Sequence, residues 1–271
     1  MAAHGVTTRP FVPSRTAAIA EPVDRYEGVQ QYSLRKILGV WAAAAVPMGL
    51  LAWVVAPLLD NQLGGSDPFI EALLLCITAG LVWQFVLVVI LLKRELGSLD
   101  WPRVRDALWL RAPKDQQTGK VGGKLWWWSA LFAFLFAVWV LVPQIPGPDV
   151  RDFAQLVDSD RGKDFFDGAW GWFGVVVLLC IFNTVLGEEL LFRGLLLPRM
   201  RDAFGKRDWV ANGALFALYH LHQPWSIPGT FVDGILLNAY PSRRWQSAWM
   251  GIIVHSFQSV VVIAVVLTLV L

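Results

Sequence analysis

The sequence predicts an all-α fold, a polytopic transmembrane helix bundle of about seven spans. Hydrophobic residues make up 56% of the 271 positions and charged residues only 16%, and the mean hydropathy is +0.51. Soluble domains carry about 25% charged residues, so this composition excludes an ordinary soluble domain. The 15 tryptophans agree with a membrane protein, because indole rings favour the headgroup level of a bilayer. The net charge of +2 gives no indication of a nucleic-acid partner.

Seven apolar stretches are candidate spans, since a spanning helix needs about 20 mostly apolar residues. The fifth and sixth stretches are short and contain polar residues, as helices that line a buried cavity do. We expect the spans at residues 37–59, 69–92, 125–142, 170–197, 209–224, 228–240 and 245–271.

The distribution of Lys and Arg predicts the orientation of these spans. Counted from the N-terminal tail through the successive connections to the C-terminus, the numbers are five, zero, eight, three, five, zero, two and zero. High and low counts alternate without a break, and basic loops stay on the cytoplasmic side. We therefore expect the N-terminus in the cytoplasm and the C-terminus outside.

The chain is expected to divide into three parts. Residues 1–36 form a cytoplasmic tail without an apolar signal segment, residues 37–168 hold the N-terminal transmembrane helices and loops, and residues 169–271 form a transmembrane domain with buried polar groups. In the loop at residues 99–124, Trp101 and Trp109 alternate with basic residues, which predicts a short interfacial helix followed by a glycine-rich link. Cys76 and Cys180 lie within apolar runs, where we expect them to pack in the membrane.

Two adjacent carboxylates lie inside the fourth apolar stretch. Carboxylates in hydrocarbon are costly, and they usually face the protein interior with a partner. Glu189 and Arg193 are four residues apart, so they share a helix face and can form an ion pair. Glu188 is rotated by about 100° from Glu189 on a helix of 3.6 residues per turn, so it lacks that partner and is available for chemistry. A structural charge cluster is the alternative interpretation.

The next apolar stretch carries a polar face. Asn212, Phe216 and His220 repeat at four-residue spacing and share one side of a helix. A single histidine at such a position is more often a packing residue than a functional one. His222 is expected nearer the outer edge of the membrane, at the interface.

The last stretch has a stripe of small and polar residues. Ser247, Gly251, His255 and Ser259 recur every four residues in a span otherwise rich in Val, Ile and Leu. Small residues alone indicate close helix packing, but a histidine followed one turn later by a serine predicts the polar wall of a cavity. Gln258, three residues from His255, is expected to reach the same cavity.

Depth in the membrane allows the three groups to meet. Glu188, His220 and His255 lie nine, eleven and ten residues from the predicted cytoplasmic edges of their helices. At about 1.5 Å per residue these distances are roughly 14, 17 and 15 Å. We therefore expect the three side chains at similar heights near the middle of the membrane, around one polar cavity open to the cytoplasm.

These residues resemble the ordered motifs of the CAAX-protease and bacteriocin-processing family of intramembrane proteases, also called the CPBP or Abi family. The family pattern is EExxxR, then FxxxH, then HxxxN or HxxxD. The third motif departs from it, since a serine replaces the Asn or Asp. The set present here is EExxxR (Glu188, Glu189, Arg193), FxxxH (Phe216, His220) and a divergent HxxxS (His255, Ser259).

The resemblance implies hydrolysis of a peptide bond by a glutamate-activated water. Carried over by position, Glu188 is the base, His220 and His255 position water or polarise the carbonyl, and Ser259 completes the catalytic set. Glu189, Arg193 and Phe216 are supporting residues. The family has been described as metalloproteases, and one Glu with two His is a zinc set, but HExxH is absent, so metal dependence stays open.

The resemblance also implies a setting for the protein: a bacterial plasma membrane, contact with membrane lipid, and a substrate that is a membrane-associated or prenylated peptide or protein. Two other functions stay open. A non-catalytic scaffold or a bacteriocin-immunity-type protein would keep the fold without activity, and the serine in the third motif is compatible with it. A proton-linked transporter using Glu188 and Glu189 fits less well, because no internal repeat is seen.

Overall fold

The computed structural model describes residues 29–271, so most of the predicted tail at residues 1–36 lies outside the described residues. The described part of the chain is helical and forms no named β-strand; Lys114 and Val121 make one isolated bridge. The first helix begins at Leu34, where the Ser33 hydroxyl accepts a hydrogen bond from the Lys36 amide and caps the helix. An all-α membrane bundle is therefore confirmed.

We label the helices of the described chain in order. They are α1 (Leu34–Asp60), α2 (Pro68–Leu96), α3 (Trp101–Ala107), α4 (Gly123–Val140), α5 (Phe153–Asp158), α6 (Asp160–Phe166), α7 (Trp170–Arg199), α8 (Asp208–Tyr219), α9 (residues 227–245) and α10 (Ala248–Val270). A single turn at Arg201–Phe204 precedes α8.

Within residues 29–271, five helices are long and apolar enough to cross a membrane, namely α1, α2, α4, α7 and α10. The other two predicted spans also form helices. α8 has only 12 residues before a tighter turn at His220–His222, and α9 contains polar residues. These two helices pack on each other as a hairpin. By length and composition, five of the described helices can therefore cross a membrane. The arrangement with seven spans stays a prediction.

Contacts between the connecting segments and helix ends lie at two opposite ends of the bundle. At one end Arg199, at the end of α7, bonds Glu95 at the end of α2 at 2.8 Å, and Tyr32 before α1 bonds the same carboxylate. At the other end Arg151 donates to the carbonyl of Ala52 at 2.9 Å. Which end faces the cytoplasm stays a prediction.

The loop after α2 is partly as expected. α3 forms the predicted short helix, and Trp101 is exposed on it. Trp109, however, was expected at the interface and is completely buried, against Leu197 of α7 and Ile252 of α10. The prediction for Trp109 is wrong because this loop folds back under the bundle, where the Trp109 carbonyl accepts from the Ala248 amide at the start of α10.

α7 is not a regular α-helix around the paired glutamates. Residues Phe182–Gly187 and Leu190–Leu196 are π-helical, and Glu188 and Glu189 lie between these two stretches. π-helical turns inside a helix are rare and occur frequently at functional sites. α7 packs against both α2 and α10, so this irregular segment lies inside the bundle.

Candidate active site

Glu188 and Glu189 are both buried, at 2% and 0% exposure, and they differ in their contacts. Glu189 Oε1 lies 3.5 Å from Arg193 Nη1, so the predicted ion pair is present. Glu188 is outside this ion pair and lines the cavity described below. Glu188 Oε2 has no hydrogen-bond partner among residues 29–271. Glu189 Oε2 also lacks a hydrogen-bond partner among these residues, so the two carboxylates differ in the ion pair of Glu189 and not in having an unpaired oxygen.

His255 of α10 reaches the paired carboxylate. Its Nδ1 lies 3.1 Å from Glu189 Oε1. A carboxylate accepts hydrogen bonds, so Nδ1 carries the proton and Nε2 is left uncommitted by this bond. Arg193 in turn donates from Nη2 to the Gly234 carbonyl of α9 at 3.3 Å. The Glu189 carboxylate therefore joins Arg193 of α7 to His255 of α10, and Arg193 also contacts α9.

Phe216 connects the three predicted motifs. The Arg193 guanidinium carbon lies 4.0 Å from the centroid of its ring, which is a cation–π contact. The rings of His220 and His255 pack edge-on against it, with centroids 4.9 and 5.9 Å away. Phe216 is 2% exposed, so this aromatic ring sets the spacing of the two histidines.

His220 is held by its own helix. Its Nδ1 donates to the Phe216 carbonyl at 2.9 Å, because a carbonyl oxygen only accepts. The neutral ring then carries a lone pair on Nε2. Of the two roles that the resemblance implies, positioning water agrees with this bond, whereas donation from a neutral Nε2 to polarise a carbonyl does not. A neutral His220 accepts a hydrogen bond in the cavity.

His222 was expected nearer the outer edge, at the membrane interface; its side chain is buried in the protein, and its depth in the membrane stays a prediction. His222 is 6% exposed, and its ring stacks on His220 with centroids 5.4 Å apart. The reason is the tight turn at His220–His222, which ends α8 and turns the chain back over the site instead of continuing outward as a regular helix.

The stripe on α10 faces the protein interior, as predicted: Ser247, Gly251, His255 and Ser259 are all buried. Ser259 does not contact His255 by a hydrogen bond. Its hydroxyl lies 3.1 Å from Thr184 Oγ1 and 3.4 Å from the Cys180 carbonyl, both on α7. Ser259 thus borders the site while its hydrogen bonds join α10 to α7.

The candidate residues line one cavity of about 170 Å³. Its polar lining consists of Arg151, Asn183, Glu188, His220, His222, Gln223, His255, Gln258 and Ser259. The remaining wall is apolar, with side chains from α2, α7 and α10. Glu188, His220 and His255 are therefore brought together, and Gln258 reaches the cavity as expected.

The cavity extends toward the loop at residues 143–169, because Val150 and Arg151 are part of its lining. The basic-residue count places this loop outside, whereas we expected the cavity to open to the cytoplasm. A cavity that borders an outside loop does not open at the cytoplasmic end, so the two expectations contradict each other. The prediction of a cavity open to the cytoplasm is not supported. The loop reaches the cavity because Arg151 packs over the ring of Trp53 at 4.2 Å.

Three residues of the site were missed from the sequence. Tyr219 and Gln84 form a buried hydrogen bond at 2.7 Å beside Glu188, and Asp233 of α9 lies close enough to interact electrostatically with Arg193 and His255. Each of the three is a polar residue inside an apolar run. A polar residue inside an apolar run can be recognised in the sequence, but the sequence does not reveal which other residue it contacts.

A zinc site is not supported by the arrangement. Among residues 29–271, no group of three or more His, Cys, Asp or Glu is placed so that it could hold a metal ion. The set of one Glu and two His that the sequence left open as a zinc site is therefore not spaced to hold a metal ion, and no step below involves a metal.

Comparison with known proteins gives one family. Residues 169–261 match the model of the family described as type II CAAX prenyl endopeptidase Rce1-like. No curated protein and no solved structure matches the chain. The matched region begins just before α7 and ends within α10, so it contains all seven motif residues. The resemblance of this integral membrane protein to the CAAX-protease family of intramembrane proteases is therefore confirmed over residues 169–261.

Proposed function

We propose that this chain is an intramembrane endopeptidase that hydrolyses a peptide bond of a membrane-associated or prenylated peptide or protein, using water activated by Glu188. The observation that carries the proposal is that Glu188, His220 and His255, from three different segments, line one buried cavity. The family match over the same segments supports a protease.

Glu188 is the general base. Its Oε2 is buried and has no partner among the described residues, so a water molecule in the cavity supplies the missing hydrogen bond. A base must lie within hydrogen-bond reach of the proton that it removes. Glu189 is unsuited to this role, because it does not line the cavity and because Arg193 and His255 interact with its Oε1.

The two histidines have different roles. His220, neutral with its proton on Nδ1, accepts a hydrogen bond at Nε2 and orients the attacking water. His255 lies beside Glu189, and the negative carboxylate stabilises its protonated form. Protonated His255 donates from Nε2 to the oxyanion that develops on the substrate carbonyl. Fixed donors at such a position are a main source of rate enhancement in acyl transfer.

The substrate enters from the membrane or its surface. The cavity has a polar end at Glu188 and apolar walls from Leu74, Ile77 and Val176, so it suits a peptide bond next to an apolar group. The protein works in contact with membrane lipid. We further propose a bacterial plasma membrane, an N-terminus in the cytoplasm and a C-terminus outside, on the basis of the Lys and Arg counts.

One observation favours the second candidate, a non-catalytic scaffold or immunity-type protein. Ser259, at the position of the family's Asn or Asp, hydrogen-bonds to α7 and makes no hydrogen bond to His255. Its role is then to join helices. In a scaffold the cavity would keep its shape without turnover.

Purified protein in liposomes distinguishes the two functions. Wild type and Glu188→Gln are tested on a library of membrane peptides, with and without a prenyl group. We expect Glu188→Gln to reduce cleavage at least about a hundredfold, the low end for general acid–base catalysis. Glu71→Gln is the matched control, because Glu71 is a buried glutamate of α2 that does not line the cavity. Equal cleavage by wild type and Glu188→Gln would reject Glu188 as the general base. If wild type cleaves no peptide, the non-catalytic scaffold is favoured.

A further inference from the structure

The cavity is elongated along α2, with the proposed catalytic groups at one end. Its wall from this helix is one apolar face, made of Ile70, Leu73, Leu74, Ile77 and Leu81. The Leu81 carbonyl marks the catalytic end, because a Cβ atom on Gly187, the residue before Glu188, would lie 3.0 Å from it. Ile70 and Leu81 are eleven residues apart, so at about 1.5 Å per residue this wall is roughly 16 Å long.

Arg151 lies at the opposite end of the cavity, which it helps to line. Its guanidinium carbon lies 4.2 Å from the ring centroid of Trp53 and 5.0 Å from that of Phe69 at the start of α2. These cation–π contacts and a hydrogen bond from Nη1 to the Ala52 carbonyl at 2.9 Å hold the guanidinium in place. A cation is thus fixed at the end of the cavity opposite the catalytic groups.

Trp53 connects this cation to the candidate active site. Its Nε1 donates to the Leu221 carbonyl at 3.0 Å, and Leu221 lies between His220 and His222 in the tight turn that ends α8. The ring that supports the guanidinium is therefore attached to the same turn that carries a proposed catalytic histidine. This attachment fixes the position of Arg151 relative to the catalytic groups.

The charge of Arg151 is not neutralised within the described part of the chain. A guanidinium has several N–H donors, and among the described residues only the Ala52 carbonyl accepts from it, with no carboxylate in an ion pair. Asp152, the next residue, accepts instead from the backbone amides of Gly147 and Ala154. The other N–H groups of Arg151 are therefore available to an anion, and a planar guanidinium matches the two oxygens of a carboxylate.

We infer that Arg151 is a specificity-determining residue, which binds a carboxylate of the peptide substrate at the end of the cavity opposite Glu188. The inference rests on the proposed function for its consequence, the choice of the peptide bond that reaches Glu188. An extended peptide advances about 3.3 Å per residue, so a cavity of roughly 16 Å holds about five residues. The substrate is therefore a peptide whose carboxylate follows the scissile bond after a short apolar segment of that length.

A lipid phosphate is the other anion that a guanidinium at a membrane protein surface can bind. Arg151 lines the same cavity as Glu188, and this position favours an anion that belongs to the substrate. The membrane is therefore treated as an outcome of the test.

Binding tests the inference without cleavage. The probe is a dansyl-labelled peptide of Leu and Ala residues, made with a free C-terminal carboxylate or with a C-terminal amide. The protein is held in a maltoside detergent, which contains no phosphate. We expect wild type to bind the carboxylate form about tenfold more tightly, the low end for a hydrogen bond to a charged group, and Arg151→Gln to bind both forms equally. Equal dissociation constants of the two forms for wild type would overturn the inference.

Arg161→Gln is the matched control, because it removes the same charge from the same end of the bundle. Arg161 pairs with Asp67 just before α2 and does not line the cavity, so this variant should keep the tenfold preference. Arg151→Lys keeps the charge without the planar fork, and its preference should lie between those of wild type and Arg151→Gln. If Arg161→Gln loses the preference as fully as Arg151→Gln does, the general charge of this surface is responsible and the inference is overturned.

Vesicles of phosphatidylglycerol test the lipid as the source of the anion. The preference for the carboxylate form should persist when these vesicles replace the detergent. If it disappears there, lipid phosphate occupies Arg151 and the inference is overturned.

The position of cleavage tests the consequence for the reaction. In wild type the scissile bond should stay about five residues from the C-terminal carboxylate when residues are added at either end of the peptide. In Arg151→Gln the KM should rise about tenfold with kcat unchanged, as for a lost interaction that is equal in the ground state and the transition state. The cleavage position should then no longer follow the C-terminus.

The two proposals fail in different ways. A wild-type protein that cleaves carboxylate and amide peptides equally well, at positions unrelated to the C-terminus, would overturn the inference and leave the proposed function standing. A wild-type protein that prefers the carboxylate form through Arg151 but cleaves no peptide would support the binding site and reject only the proposed function.

Discussion

The guanidinium of Arg193 lies over the ring of Phe216, with its central carbon 4.0 Å from the ring centroid. This contact joins the first family motif to the second. Because the edges of both histidine rings pack on the same phenylalanine, the three motifs form one packed unit. A substitution within this unit is therefore expected to affect the stability of the bundle as well as its chemistry.

The ion pair of Glu189 and Arg193 gives the first prediction. Both side chains are completely buried, and removing one partner of a buried pair costs on the order of 3–5 kcal/mol, because the other charge is left uncompensated. Glu189→Ala and Arg193→Ala should each lower the thermal stability in detergent, and the double variant should lose less than the sum.

The exposed pair of Arg105 and Asp106 serves as the control for that double-mutant cycle, since exposed pairs contribute only about 0–1 kcal/mol. If the losses of stability from the Glu189 and Arg193 substitutions were strictly additive, the two side chains would not stabilise each other, and the ion pair would be contradicted.

The second prediction concerns the close approach of α10 to α7. A Cβ atom at Gly251 would clash with Glu189 Oε2 and would lie 2.9 Å from Ser242 Oγ. Gly251→Ala should therefore destabilise the protein by about 1–3 kcal/mol, as overpacking of a core does, and it should displace Glu189. Gly174→Ala on α7 is the matched control, because nothing lies within 4 Å of its added methyl group. Equal melting temperatures for the two variants would be inconsistent with this packing.

The third prediction concerns Ser259. Ser259→Asn restores the family residue one turn from His255, and the side chain borders the cavity, which offers room for the larger amide. We expect kcat/KM equal to that of wild type or higher. Ser256→Asn, on the same helix but outside the cavity lining, controls for the effect of an added amide. A large loss of activity in a folded Ser259→Asn protein would show that the serine is required as it is.

The fourth prediction concerns topology. Reporter fusions at residue 30 and residue 271 should report the cytoplasm and the outside, respectively, because the Lys and Arg counts alternate along the chain. A third reporter inserted in the loop at residues 143–169 should also report the outside. Both termini on one side would reject the seven-span arrangement, and a cytoplasmic loop would restore a cavity open to the cytoplasm.

The sequence by itself determined the membrane class, five apolar helices and the order of the motifs. It also determined the pairing of Glu189 with Arg193. These features are local, because hydropathy depends on composition within about 20 residues and an i,i+4 pair depends on a single helical turn. The positions of Glu188, His220 and His255 could be estimated to similar depths for the same reason.

Only the tertiary structure decided which polar residues meet. Gln84 and Tyr219 are 135 residues apart, and nothing in either helix alone specifies the other. Trp109 and His222 were placed at the membrane surface from hydropathy, but the loop before α4 and the tight turn after α8 bury them. Hydropathy measures the cost of transfer into lipid, and it does not distinguish a helix face that meets lipid from one that meets another helix. That distinction depends on packing between distant segments, and in this protein packing assembles the cavity.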